Sequence, residues 1–130
     1  MRIYQKELIL ISYPFSDLQN KKVRPALVLS NDLFNKKSDD CILVPLTSVI
    51  KDEPYSILIN QDSLDEGKLI KISRIRVDKI FSIDKNLIQM KIGRINNSAF
   101  EKVKKEFLSS LNVTVYVKDY LSGFMTILTL

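Results

Sequence analysis

Two short stretches carry side chains able to handle a phosphate. In Lys21-Lys22-Val23-Arg24-Pro25-Ala26-Leu27-Val28-Leu29-Ser30-Asn31-Asp32, a basic cluster enters an apolar run through Arg-Pro and the run leaves through Ser-Asn-Asp. Pro25 has no backbone N–H to donate, which suits the start of a strand, and it biases Arg24 towards extended backbone. A guanidinium held where a loop meets a strand offers a planar fork of donors, the geometry that clamps a phosphate. Spacing alone leaves a second reading, an arginine paired with a surface carboxylate. The other stretch, Val44-Pro45-Leu46-Thr47-Ser48, ends an apolar run in two adjacent hydroxyls. Hydroxyls there can bond a phosphate or a base edge, or can simply begin a turn.

The chain has no histidine. That removes His acid–base chemistry, His–metal sites and the Ser–His or Cys–His nucleophile pairs. Any catalysis must run on arginine, lysine, hydroxyls and carboxylates. The acidic residues Asp39, Asp40, Asp62, Asp65 and Glu66 fall in turn-prone stretches without the spacing of a metal site. No metal and no cofactor is expected. A net charge of +5 favours acidic partners, either nucleic acid or an acidic protein.

These residues need a scaffold, and the polarity pattern describes one. A length of 130 residues supports a single domain. The short apolar runs Leu8–Ile11, Ala26–Leu29 and Ile42–Val44 have the length of buried strands, and Tyr55–Ile59 follows Pro54 as a fourth. Lys68–Ile80 and Leu87–Ile95 read as strands five and six. Turn-prone sequence separates them at 16–22, 35–40, 60–67 and 83–86. In the fifth segment the apolar residues switch parity between Ile70, Ile72 and Ile75, Val77, the mark of a β-bulge or a sharp bend.

A helix is expected from Ser98, where Ser98 and Glu101 have the spacing of a capping box. Phe100, Val103, Phe107, Leu108 and Leu111 then form its core-facing stripe. The pattern as a whole predicts a small, mainly β barrel or sandwich with a C-terminal helix, over residues 1–112. Residues 113–130 read as an extension of a different kind: an added strand, a segment covered by a partner, or a poorly folded tail. Cys41 sits in an apolar run and reads as a buried thiol with no disulfide partner. No run reaches the roughly 18 apolar residues of a membrane span, and the N-terminus is not a signal peptide, so the cytoplasm is the expected compartment.

In order and spacing, Val23–Asp32, Leu43–Ser48, Leu69–Ser73 and Asp78–Asp84 resemble the PemK/MazF toxin family. The resemblance runs from about Glu7 to about Leu111. It implies an SH3-like small antiparallel barrel with a C-terminal helix and a metal-independent endoribonuclease, the toxin of a type II toxin–antitoxin system, that cuts single-stranded RNA at short sequences. It further implies a homodimer held in check by a cognate antitoxin, with operator DNA bound together with that antitoxin, and no membrane.

Carried over residue by residue, the family's catalytic arginine and threonine fall on Arg24 and Thr47. RNA-binding positions fall on Asn31 and Ser73, with Phe15 and Ser16 in the loop before the arginine. Ser30, Ser48 and Lys79 complete the expected RNA-binding set. Lys79-Ile80-Phe81 departs from the family's common Gln-Ile-Arg, and the loop before Arg24 has no glycine. Both departures bear on which RNA sequence is read. A different class of function also fits an SH3-like barrel: a non-enzymatic toxin or binding module acting on a protein such as DNA gyrase.

Overall fold

The computed structural model describes residues 1–12, 23–112, 114–118 and 125–129. Three apolar runs of the N-terminal half become neighbouring antiparallel strands: Glu7–Ser12 (β1), Val23–Val28 (β2) and Asp40–Thr47 (β3). Ser56–Ile59 (β4), Leu64–Gly67 (β5), Ser73–Arg76 (β6), Phe81–Asp84 (β7) and Ile88–Ile95 (β8) complete the sheet. Its order is β4-β6-β3-β2-β1-β8-β5, with β7 also paired to β3. This antiparallel sheet forms a half-barrel and is followed by helix α2 at Asn97–Ser110, in keeping with the expected small antiparallel barrel with a C-terminal helix.

The runs are continuous rather than alternating because β1, β2 and β3 are buried on both faces. On one face Leu8, Leu27, Val44 and Leu46 join Ile57, Ile59, Ile75, Val77 and Ile95 beneath Ala99, Phe100 and Val103 of α2. On the other, Ile9, Ile11, Ala26, Val28, Cys41 and Leu43 pack with Ile3 and Ile88. Cys41 is fully buried, and burial pushes its thiol up to about 11. Among the described residues no helix is long and apolar enough to cross a membrane.

Several local expectations are corrected. The span 68–80 is not one strand. The chain leaves the sheet after Gly67, which adopts φ +82, and re-enters as β6 only at Ser73. The parity switch therefore marks a bend: Ile70 and Ile72 are exposed while Ile75 and Val77 are buried. The stretch expected to turn at 35–40 instead contributes to a short helix, Asp32–Lys37 (α1). The turn expected at 83–86 begins later, because Phe81–Asp84 pairs with Asp40–Leu43 before the 3-10 turn at Lys85–Leu87.

Helix α2 is capped by Asn96, whose side chain accepts the Ala99 N–H at 2.8 Å, so the Ser98–Glu101 capping box does not form. An Asn two residues earlier caps the helix instead, and it is as good a cap as Ser. Phe100 and Val103 enter the core as expected, whereas Leu111 at the helix end is 59% exposed. Beyond the helix, Thr114–Lys118 (β9) and Met125–Thr129 (β10) pair as an antiparallel ribbon separate from the main sheet.

Candidate functional site

Strands β2 and β3 pair with Leu27 opposite Val44 and Ala26 opposite Pro45. The pairing stops at Ala26–Pro45, so Arg24 and Thr47 lie two residues past its end on adjoining strands. Arg24 is the partner of Ile11 on β1, and Thr47 is the partner of Arg74 on β6. Residues opposite one another in a pleated sheet point to the same face, so the Thr47 hydroxyl stands beside a guanidinium-bearing side chain.

Arg24 and Thr47 both line a cleft of about 650 Å³. Leu10, Pro25, Leu46 and Ile92 give it an apolar floor, and Leu69, Ile70, Lys71 and Ser73 form a wall. The lining holds two cations, Arg24 and Lys71, and no carboxylate among the described residues. Such a cleft accommodates an anion that carries apolar surface.

Thr47 ends its strand in a tight turn in which its Oγ1 accepts the Val49 N–H at 3.2 Å. The oxygen is thereby oriented, and its own O–H remains available to donate. Arg74 fixes the loop that follows. Its Nε donates to the Ile50 carbonyl at 3.2 Å and its Nη1 to the Ser56 hydroxyl at 3.3 Å. Ser56 in turn donates to the Glu53 carbonyl at 2.6 Å. The Asp52 carboxylate stands 3.6 Å from Arg74 Nη2 but is 96% exposed, so that ion pair adds little. Among the described residues no carboxylate lies within ion-pair distance of Arg24.

Of the candidate residues, Arg24, Thr47, Ser48 and Ser73 come together around the cleft. Ser73 is 6% exposed and its hydroxyl donates to the Lys71 carbonyl at 2.9 Å. Ser30 and Asn31 lie beyond the other end of β2, roughly 20 Å along the chain from Arg24. There the buried Ser30 hydroxyl bonds the Asn35 side chain and accepts the Ile42 N–H at 3.0 Å. Asn31 caps α1 by accepting the Phe34 N–H at 2.8 Å.

Lys79 closes the 3-10 turn Val77–Lys79, exposed and outside the cleft lining. Beside it the Arg76 guanidinium bonds Asp78 at 3.0 and 2.8 Å and holds that carboxyl below its ordinary value. Phe15 and Ser16 lie outside the described residues. Two residues of interest escaped the sequence reading. Lys71 was hidden inside a stretch read as a strand with a bulge or bend, and Arg74 acquires meaning only through the β3–β6 register. Among the described residues no three His, Cys, Asp or Glu side chains gather as metal ligands would.

Comparison with known proteins bears on the family and the fold. The family model for the PemK-like, MazF-like toxin of type II toxin–antitoxin systems matches residues 4–111. No curated protein sequence matches. Among solved structures, a mycobacterial endoribonuclease in complex with its cognate antitoxin superposes with a TM-score of 0.70 at 16% identity, over 85% of this chain and 96% of that one. MazF from Deinococcus radiodurans gives 0.69 at 19% identity, over 87% and 99%. The Mycobacterium tuberculosis toxin MazF-mt6 gives 0.68 at 13%, over 82% and 97%. At such identities the likeness is one of fold.

Proposed function

The chain belongs to the PemK-like, MazF-like toxin family of type II toxin–antitoxin systems, and from that premise we propose that it is an endoribonuclease that cuts single-stranded RNA without a metal. The observation that carries this reading is the meeting of Arg24 and Thr47 in one cleft lined by cations and apolar side chains. The structurally similar mycobacterial protein is an endoribonuclease, and RNA cleavage is the chemistry these residue types can support.

In that reaction the 2′-hydroxyl oxygen attacks the adjacent phosphorus as it loses its proton. The P–O5′ bond then breaks and the leaving oxygen takes up a proton, giving a 2′,3′-cyclic phosphate and a free 5′-hydroxyl. Charge builds on the non-bridging phosphate oxygens between these events. Fixed donors aimed at that charge contribute more than any other single effect in most such sites. Arg24 supplies a forked cation there, and it takes part in the proton transfers as the family's arginine does. Thr47 donates to a non-bridging oxygen and holds the phosphate in line for attack.

The cognate antitoxin would cover this cleft with an acidic or partly disordered segment, as the similar mycobacterial toxin was solved with its antitoxin. The working unit would be a homodimer, binding operator DNA together with the antitoxin. Residues 1–112 would be the toxin domain and 113–130 an extension to it. A gyrase-directed binding module is the weaker reading, because it leaves the cleft shared by Arg24 and Thr47 without a task.

The test is incubation of a long single-stranded RNA with the protein in EDTA, followed by analysis of the ends. Discrete cuts with cyclic phosphate and 5′-hydroxyl ends are expected, and a 2′-deoxy sugar at the cut position should abolish them. Cutting that needs a divalent ion, or that survives the 2′-deoxy substitution, would contradict the reading.

A further inference from the structure

Between β5 and β6 the chain runs outside the sheet for residues 68–72, yet its backbone is tied down along its length. The Lys68 N–H donates to the Ile92 carbonyl at 3.4 Å. The Gln61 side-chain amide bridges the bend, donating to the Gly67 carbonyl at 3.1 Å and accepting the Leu69 N–H at 2.8 Å. Ser73 then holds the Lys71 carbonyl at 2.9 Å. The segment is a strap fastened at both ends, and it presents its side chains to the cleft.

Two of those side chains are unusual for such a fixed stretch. Ile70 is 80% exposed, and Lys71 is exposed with no carboxylate within ion-pair distance among the described residues. A single exposed isoleucine would mean little. Here Ile70 shares the lining of one cleft with Val23 and Val49, which are 49% and 66% exposed, and Lys71 shares it with Arg24. Apolar surface for the faces of bases, alternating with cations for phosphates, is the chemistry that holds a single nucleic-acid strand.

Resting on the ribonuclease reading above, we propose that residues 69–72 form a recognition rim for the RNA strand. The Lys71 ammonium binds a phosphate neighbouring the one that Arg24 holds, and Ile70 packs against the face of an adjacent base. Ser73 is then a positioning residue that sets the Lys71 backbone, rather than a direct RNA contact. Gln61, itself outside the cleft lining, plays the same part at the other end of the strap.

The experiment measures KM and kcat for RNA cleavage across a salt series, together with binding of an uncleavable RNA carrying 2′-deoxy sugars. The proteins are wild type, Lys71→Ala, Lys71→Arg and Ile70→Ser, each checked for unchanged thermal unfolding. Lys71→Ala should raise KM, and the Kd of the uncleavable RNA, about tenfold with kcat unchanged. It should also flatten the slope of log affinity against log salt by about 0.7, the loss of one single-strand phosphate contact. Lys71→Arg should restore both. Ile70→Ser should leave the salt slope alone and change the preference among cleavage sites. If wild type cuts RNA and Lys71→Ala matches it in KM and salt slope, the rim is wrong while the ribonuclease reading stands. If wild type cuts nothing, the ribonuclease reading falls, and an equal Kd and slope for Lys71→Ala on the uncleavable RNA overturns the rim as well.

Discussion

Thr47 and Arg74 face each other across the β3–β6 pair, and Arg74 also holds the loop that leaves Thr47, through the Ile50 carbonyl and the Ser56 hydroxyl. One arginine thus braces a hydroxyl from beside it and from beyond it. Removing it would leave the sheet in place but free the turn on which the Thr47 oxygen is oriented. Arg74→Ala is expected to lower kcat about 10- to 100-fold, since a misplacement near 1 Å is enough for such a loss. KM should change little, and Arg74→Lys, which cannot span both acceptors, should recover only part of the rate. Steady-state kinetics on a defined RNA checks this.

The cap of α2 distinguishes two readings of the same sequence. Asn96→Ala removes the acceptor for the Ala99 N–H and should cost about 1 kcal/mol of stability. Ser98→Ala, at the position the capping-box pattern points to, should change stability by less than about 0.5 kcal/mol. Urea unfolding of the two variants side by side decides between them.

Packing of α2 on the barrel can be tested in the same assay. Phe100 is 3% exposed, in one cluster with Leu8, Leu27 and Ile75. Phe100→Ala should destabilise by about 3–5 kcal/mol through lost burial and the cavity left behind. Leu111→Ala, at a residue 59% exposed, should be nearly silent although both belong to one apolar stripe in the sequence.

Cys41 makes the stability pH-dependent on the alkaline side. Burial raises its thiol from an ordinary 9.0 to about 11, so the folded protein keeps a proton that the unfolded chain releases. Its contribution is fully present below pH 9 and is lost as pH rises from about 9 to about 11, by roughly 2–3 kcal/mol. Cys41→Ala should flatten that part of the stability–pH curve. The native thiol should also resist alkylation at pH 8, where little of it is thiolate.

The strands at the centre of the fold were legible because β1, β2 and β3 are apolar on both faces, so length and turn chemistry bounded them without any need for alternation. Arg24 and Thr47 were legible as candidates because each ends a buried run with a chemically able side chain. Their meeting in one cleft was not, since it depends on how the strands pair, and no local pattern reports that. The bend within 68–80 was signalled by the parity switch, but residues 68–72 were read as strand because Ile70 and Ile72 mimic strand alternation while lying in solvent. Helix α1 was missed because Asn31, Asn35 and Ser38 are turn-formers by propensity. In the fold Asn31 becomes a cap and Asn35 a buried partner of Ser30. The expected roles of Phe15 and Ser16 fall outside the described residues.

The central claim is that Arg24 and Thr47 act together on one phosphate, and the most direct measurement is single-turnover cleavage of one RNA in EDTA by wild type, Arg24→Ala, Thr47→Ala and the double variant. Each single change is expected to remove at least 100-fold of the rate, and the double variant should be little worse than either, because groups that act as a unit are not additive. Folding of all four, checked by thermal unfolding, should be alike. Undiminished cleavage by folded Arg24→Ala or Thr47→Ala would contradict the account and move the site elsewhere on the barrel.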